Sequence, residues 1–361
     1  MTAANDMHLQ EVIDTIEPID PDWIEKARRH TAQLLMPTRA LGRLHDISER
    51  LCGIGRTLNP AVGRKAVLVM AGDHGVVDKG VSAYPQEVTV GMVQTFVAGG
   101  AGINAIARLV GAEVRVVDMG VKGDIVIEDP EKRRLLRTVK IGRGTRDFTE
   151  GPAMSRHDAE SAVMAGFVQA SELVGEGVEV LGTGDMGIGN TTPSAAIGAV
   201  ITGADLDTMV GPGTGVDAEG LARKKEVVAR GIRVNTPDRN DGLDVLAKVG
   251  GFEIGGIAGV ILAAAFHRRP VVVDGFISTA GALVACALCP AARDYLFAGH
   301  RSEEPGHAAM LRHLGLDPIL NLGMRLGEGT GGALAMNILE AAARVLGEVM
   351  TFEQAGVPGK E

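Results

Sequence analysis

Aromatic residues are nearly missing from this chain, with one Trp, two Tyr and eight Phe making up 3% of 361 residues. Hydrophobic residues still reach 45%, so the interior has to be built from Ala, Val, Leu, Ile and Gly at close backbone distances. That favours helices packed on a parallel sheet over a β-sandwich. Cysteine is also scarce, and three with no paired framework point to a reducing compartment rather than a disulfide scaffold. Positive charge is in deficit: a net charge of -9 argues against nucleic acid or an anionic membrane surface as the main partner. Long apolar runs are missing as well. Ile254 to Phe266 and Phe276 to Cys289 contain Gly, Ser or Thr and fall short of the roughly 18 residues a membrane helix needs. Met1 to Asp22 carries several acids and no apolar run, so no signal peptide is expected there. The expectation is a soluble cytoplasmic protein.

Glycine, by contrast, is abundant at 50 residues, and its densest functional-looking stretch is Leu181 to Pro193, LGTGDMGIGNTTP. It follows the short β-branched run Val178 to Leu181 and leads into the alanine-rich Ser194 to Ile201, which reads as strand, glycine loop, helix. Gly182, Gly184, Gly187 and Gly189 permit positive φ and close backbone approach, while Asn190, Thr191 and Thr192 are residues that open helices and Pro193 suits an early helical turn. Free N–H groups and a helix N-terminus converge there, the physical recipe for a phosphate or carboxylate site. The same stretch holds a literal G-x-G-x-x-G, Gly182 to Gly187, with Asp205 about twenty residues on, so a dinucleotide-binding oxidoreductase has to be weighed. A purely structural glycine turn is the plainer alternative.

From Ala66 onward, short apolar runs alternate with helical patterns: 66–72, 113–120, 178–184, 270–275 and 318–323. Five strands, each separated by a helix's worth of residues, predict an α/β fold with a mostly parallel sheet flanked by helices. Ligands in such sheets bind beyond the carboxyl ends of the strands, where this sequence puts Asp73-His74-Gly75, Asp118, Asp185, Asp274 and Arg325 with Glu328. Ahead of the sheet, Asp20-Pro21-Asp22 reads as an N-cap with a first-turn proline, and Trp23, Ala27, Leu34 and Leu35 recur at helical spacing. A second amphipathic helix is expected after Pro37. The small-residue helices 254–266 and 278–288 would pack tightly on the sheet or on another subunit, which makes a homodimer an expectation. A last helix spans 332–349, and the tail beyond Gly356 is expected to be mobile.

Gly211 to Gly215, GPGTG, forms a second glycine loop before a helix that carries Arg223, Lys224 and Lys225. A cation in that position can clamp a phosphate resting on the first loop, with a solvated basic helix end as the alternative. Gly323 to Gly332 sets Glu328 among glycines and apolar neighbours, where partial desolvation would raise its pKa toward general-base work; serving a helix dipole is the other reading. His300 to His307 matches no zinc spacing, and loop polarity explains it. Cys286 and Cys289 fit small buried hydrophobes better than a redox pair. No metal site is indicated.

The blocks AGDHGVVDKGVSAYPQEVT (71–89), GTGDMGIGNTTPSAA (182–196), GPGTGVDAEGLARK (211–224), VVDGFISTAGALVA (272–285), GHRSEEPGH (299–307) and LNLGMRLGEGTGGALA (320–335) together resemble the nicotinate-nucleotide:dimethylbenzimidazole phosphoribosyltransferase family over about residues 38–357. The resemblance implies a cytoplasmic homodimeric enzyme without a cofactor that moves phosphoribose from nicotinate mononucleotide to 5,6-dimethylbenzimidazole. It also implies a Rossmann-like large domain over 61–344, with a small helical domain assembled from residues 1–60 and the tail 345–361. Glu328 then matches the family's catalytic base. The glycine loops (Gly187, Gly189, Asn190 and Thr191, then Gly213) and Lys224 match its phosphate contacts, and Ser82, Tyr84, Gln86, Met186, Ser302 and Leu326 lie in blocks that line the two ring sites. Where the family often has Glu, this chain has Asp185, a carboxylate one methylene shorter, for a ribose or ring contact. A non-catalytic nucleotide-binding regulator is the reading from a different class.

Overall fold

The computed structural model describes residues 7–358. Six strands form one sheet: β1 (Lys65–Gly72), β2 (Ala112–Gly120), β3 (Leu136–Thr138), β4 (Val180–Met186), β5 (Val271–Val273) and β6 (Leu296–Ala298). Every pairing is parallel, and the order is β3-β2-β1-β4-β5-β6, that of a doubly wound Rossmann-type sheet. The central strand β1 reads KAVLVMAG and is buried at all eight positions. A strand covered by helices on both faces has no polar side to alternate with, hence the continuous apolar run. The strand order reverses between β1 and β4, so a crevice opens at their carboxyl ends.

The predicted strand over 318–323 is not one. Leu320 makes only an isolated parallel bridge to His300, with Ile319 N–H donating to the Ala298 carbonyl. Pro318 has no N–H to extend a ladder, and Gly323 turns away with φ +67. The edge position belongs to β6, three residues just after the short 3-10 helix Pro290–Tyr295. Neither LFA nor β3 (LRT) carries an unbroken β-branched run like the Val271–Val273 that marks the equally short β5, so neither was legible in the sequence.

The helix read at 254–266 runs Phe252–Phe266, and all of its residues through Ala265 are buried inside the chain. Its small residues serve internal packing, so it offers no face to a second subunit. It lies against the helix Arg156–Gly175 at backbone contact, where a Cβ on Gly166 would strike the Gly256 carbonyl. A Gly166→Ala change should therefore lower stability by about 1–3 kcal/mol through overpacking, read as a fall in the urea midpoint at unchanged m-value.

The two chain ends meet. Asp20 caps the helix Pro21–Thr31 by accepting from Asp22 N–H at 3.0 Å. Leu34, which the spacing placed on that helix, lies beyond it and bridges Thr351 in antiparallel fashion. Turns follow Pro37, so the next helix begins only at Arg43 and runs to Gly55. Ala27, Cys52 and Leu346 form a small apolar cluster between these helices and the C-terminal helix Thr330–Glu348. Of the tail expected to be mobile, residues 359–361 lie outside the described residues, as do residues 1–6 of the N-terminal stretch.

Candidate active site

A cavity of about 420 Å³ opens at the carboxyl ends of β1 and β4. A larger concavity, about 890 Å³, lies between residues 32–38 and 351–358, but no cluster of ionisable groups faces it. The chemistry sits in the smaller one.

Two glycines of the first loop act differently from the sequence expectation. Gly182 and Gly184 lie inside β4 with ordinary strand backbone, and of the four glycines only Gly189 adopts positive φ (+85). Their missing side chains make room for packing: a Cβ on Gly182 would lie 2.5 Å from Met336 Cε, and one on Gly184 2.5 Å from the Glu328 carbonyl oxygen. The G-x-G-x-x-G is thus a strand packed against the Glu328 loop and the helix that follows it, not a pyrophosphate turn. Asp205 caps the short helix Leu206–Met209 by accepting from Thr208 N–H, so the fingerprint's acidic residue is spent elsewhere.

Glu328 is buried at the cavity wall, and its backbone has φ +63 between Gly327 (+85) and Gly329 (+91). A non-glycine residue there stores roughly 1 kcal/mol or more of strain. Its Oε2 accepts from Ile103 N–H at 3.0 Å, at the start of the helix Gly102–Val110. The helix N-terminus orients the carboxylate and favours its charged form. Burial works the other way and wins, raising the pKa above the ordinary Glu value, with the nearby Asp274 adding to the rise. Asp274 is itself fixed by Gly329 and Gly332 N–H groups at 3.2 and 2.8 Å.

Asp185, at the end of β4, accepts from Asn190 Nδ2 at 2.9 Å. Asn190 therefore holds this carboxyl rather than capping the helix Thr191–Thr202, which has no side-chain cap. Burial, followed by the charge on Asp274, pushes the Asp185 pKa up to about 8, so the group is protonated at neutral pH. Asp185→Asn should then keep turnover within about threefold of wild type near pH 7, because the amide mimics the neutral acid. The two proteins should diverge above about pH 8, where only wild type acquires a charge; a pH series of kcat/KM checks this.

At another end of the cavity, Thr191 and Gly213 face inward with Lys224 behind them. Lys224 is 1% exposed and donates to Thr191 Oγ1 at 2.6 Å and to the Gly211 carbonyl at 3.1 Å. Burial lowers its pKa to about 8, against the opposing charge of Glu304. Glu304 is shifted upward by burial, while Lys224 and the Gly213 N–H favour its charged form. Arg325 reaches the Gly213 carbonyl at 3.5 Å.

Of the residues singled out from the sequence, Tyr84, Asp185, Met186, Gly187, Asn190, Thr191, Gly213, Ser302, Leu326 and Glu328 line this cavity. Ser82 stands at the rim, 3.5 Å from Thr214 Oγ1. Gln86 donates to the His74 carbonyl at 3.1 Å, and Gly189 forms the turn under Val77. Sequence reasoning missed Val88, Met92 and Ile188 as apolar lining and Phe276 and Ile277 after β5, and it weighed Glu304 only as a metal ligand beside His300 and His307. The i, i+4 pair Val88 and Met92 on the helix Val88–Ala98 was a usable signal. The rings of His300 and His307 lie 6.3 Å apart, and among the described residues no group of three or more His, Cys, Asp or Glu side chains converges in a way that could hold a metal ion. His307 Nδ1 accepts from Ser302 N–H at 2.8 Å, and its Nε2 meets Thr279 Oγ1 at 2.9 Å. Burial drives its pKa down to about 3, so it is a neutral strut for the loop that carries Ser302.

A family model described as phosphoribosyltransferase matches residues 16–357. The chain is 52% identical over 349 residues to a nicotinate-nucleotide–dimethylbenzimidazole phosphoribosyltransferase of Geobacter sulfurreducens, covering 97% of this chain and 98% of that one. It is 54% identical over 351 residues to a protein of the same name from Syntrophobacter fumaroxidans, with coverage of 97% and 98%. This chain belongs to that phosphoribosyltransferase family. A crystal structure of the Thermus thermophilus enzyme of the family superposes with a TM-score of 0.88 at 45% identity, covering 95% of this chain and 100% of the other. The matched span takes in every residue of the cavity, from Tyr84 to Glu328. These relatives support the transferase over the oxidoreductase, in agreement with the misplaced glycine fingerprint.

Proposed function

We propose that the chain transfers phosphoribose from nicotinate mononucleotide to 5,6-dimethylbenzimidazole, releasing nicotinate and forming α-ribazole 5'-phosphate with inversion at C1'. The observation that carries this reading is one cavity with Glu328 on an apolar wall and glycine loops backed by a buried lysine at another end. Tyr84, Val88, Met92 and Leu326 supply a slot for a flat hydrophobic base beside Glu328. Gly187, Asn190, Thr191, Gly213 and Lys224 supply N–H, hydroxyl and ammonium groups for the phosphate.

The chemistry asks little beyond this. The leaving ring is a pyridinium, so breaking its bond to C1' neutralises a cation and requires no general acid. Holding the two rings on opposite faces of an anchored ribose does most of the catalysis. As the benzimidazole nitrogen bonds to C1', positive charge builds on its ring and its other N–H becomes acidic. Glu328, with its pKa raised toward neutrality, accepts that proton. Asp185 is read as a hydroxyl contact to the ribose, and Ser82, Gln86, Met186 and Ser302 as ring-site residues. Leu326, a cavity-wall residue that is 61% exposed, supports a homodimer in which a second copy covers this rim.

The test is a metal-free assay of purified protein with both substrates, following nicotinate and α-ribazole phosphate. Product formation supports the transferase. Tight nucleotide binding without product would instead favour a regulator.

A further inference from the structure

Asp274 follows β5, at one of the strand ends where polar groups gather, yet it does not line the cavity: it is 1% exposed and lies beneath the Glu328 loop. A carboxylate buried that deeply needs partners to offset its lost hydration. Its partners all belong to the turn that carries the proposed base.

The helix Thr330–Glu348 starts from Gly329, whose backbone is left-handed (φ +91) and which has no side chain to cap with. The free N–H groups of the first turn must therefore be met from outside the helix. Asp274 Oδ1 accepts from Gly332 N–H at 2.8 Å, the bond an N-cap side chain would make to the third helical residue. Asp274 Oδ2 accepts from Gly329 N–H at 3.2 Å, so it grips the peptide that joins Glu328 to Gly329. His300 completes the seat. Its Nε2 lies 3.6 Å from Asp274 Oδ1, and its ring sits so close to Gly331 that a Cβ there would fall 2.0 Å from Cδ2. Strand β4 backs the same turn at Gly184. Glu328 itself has φ +63, and a strained backbone of that kind persists only where its surroundings over-determine it. The ends of β4, β5 and β6 are those surroundings.

Capping alone does not call for a charge, because Asn caps a helix about as well as Asp. The charge acts on the neighbour instead. Asp274 and Asp185 are the ionisable side chains that bear on Glu328 through space, whereas Gly102 and Ile103 bring only N–H groups to it.

We propose that Asp274 is a positioning residue for the reaction: from beneath the cavity it clamps the Gly327–Gly329 turn, keeps Glu328 aimed into the site and places a negative charge beside it. The inference rests on the transferase reading given above.

The test compares wild type with Asp274→Asn and Asp274→Ser, following α-ribazole phosphate across a pH series. Asn keeps the size and can still accept from Gly332, but its NH2 group then faces the Gly329 N–H and its charge is gone. Ser is smaller and equally uncharged. In both variants kcat should fall about tenfold or more, since a displaced base loses its alignment, while KM for nicotinate mononucleotide stays within about threefold. The acid limb of kcat/KM should move to lower pH, because a carboxylate freed from a like charge holds its proton less tightly. The position of that limb does not depend on the active fraction, so partial misfolding cannot imitate the shift. With 5,6-dichlorobenzimidazole, whose N–H is more acidic, the loss relative to wild type should be smaller than with the dimethyl compound. Equal losses on both acceptors with the limb unmoved would reduce Asp274 to a helix cap and overturn the role. Full kcat in both variants would overturn it as well, and so would loss of the folded state in both by circular dichroism. Failure of wild type to release nicotinate at all would overturn the transferase reading instead.

Discussion

Glu328→Gln should lower turnover by about 10²–10⁴, the range a positioned general base contributes, while leaving the affinity for nicotinate mononucleotide within a few fold. The amide keeps the size of the carboxyl group and removes its ability to take a proton. The sign of the pH dependence follows from the raised pKa: the base form is lost as pH falls, so wild-type kcat/KM should drop on the acid side at a pH above the usual Glu range. In the Gln variant that acid limb should vanish. A variant that retains both full turnover and the limb would remove Glu328 from the mechanism. A companion change, Glu328→Gly, relieves the positive-φ strain and should match or exceed wild type in thermal stability, by roughly 1 kcal/mol, while being inactive. Strain at this residue is therefore tied to function rather than to the fold.

Lys224→Met is expected to have the second-largest effect. Losing a charge-assisted contact to phosphate costs about 2–3 kcal/mol, which is roughly 30- to 150-fold in kcat/KM for the mononucleotide. The pKa of about 8 places a second signature in the accessible range. In the ligand-free protein the buried ammonium is penalised below about pH 8. The unfolded lysine stays charged to about 10.4, so folded protein sheds the proton first and stability should rise between those values as pH increases. Urea titrations at about pH 7 and about pH 9.5, on either side of the folded pKa, read this, and the Met variant should show a flatter response. Substrate affinity moves in the opposite direction, because the cation that holds the phosphate fades above about pH 8. An unchanged KM for the Met variant would move the phosphate away from this end of the cavity.

Much of the architecture was legible in the sequence. Apolar runs such as KAVLVMAG carry a parallel, doubly covered strand in their composition alone, since both faces are buried. The helices Phe252–Phe266 and Phe276–Leu288 were equally plain, and Asp20-Pro21 marked a helix start within a residue. Two short strands were not: β3 (LRT) and β6 (LFA) have three residues each and no unbroken β-branched run, whereas the equally short β5 was readable as Val271–Val273 between Pro270 and Gly275. The site was readable where chemistry and backbone requirement coincide in one block, as at Glu328 among its glycines. It was unreadable where partners come from distant segments. Nothing near Asp185 in the chain announces that Asp274 raises its pKa, 89 residues away by number. Nor does anything near Glu328 announce that the N–H of Ile103 holds its carboxylate, across 225 residues.

By itself, then, the sequence determined the fold class, the family and the residue types available for phosphate and proton chemistry, because these depend on local composition, period and block order. Only the tertiary structure decided which charges those residues carry and which of them share a wall. The glycines of β4 look like a nucleotide turn in one dimension and serve helix packing in three. His300 and the helix start at Gly275 are 25 residues apart and meet only because β5 and β6 lie side by side. Burial and through-space charge depend on the whole fold, and neither has a local code.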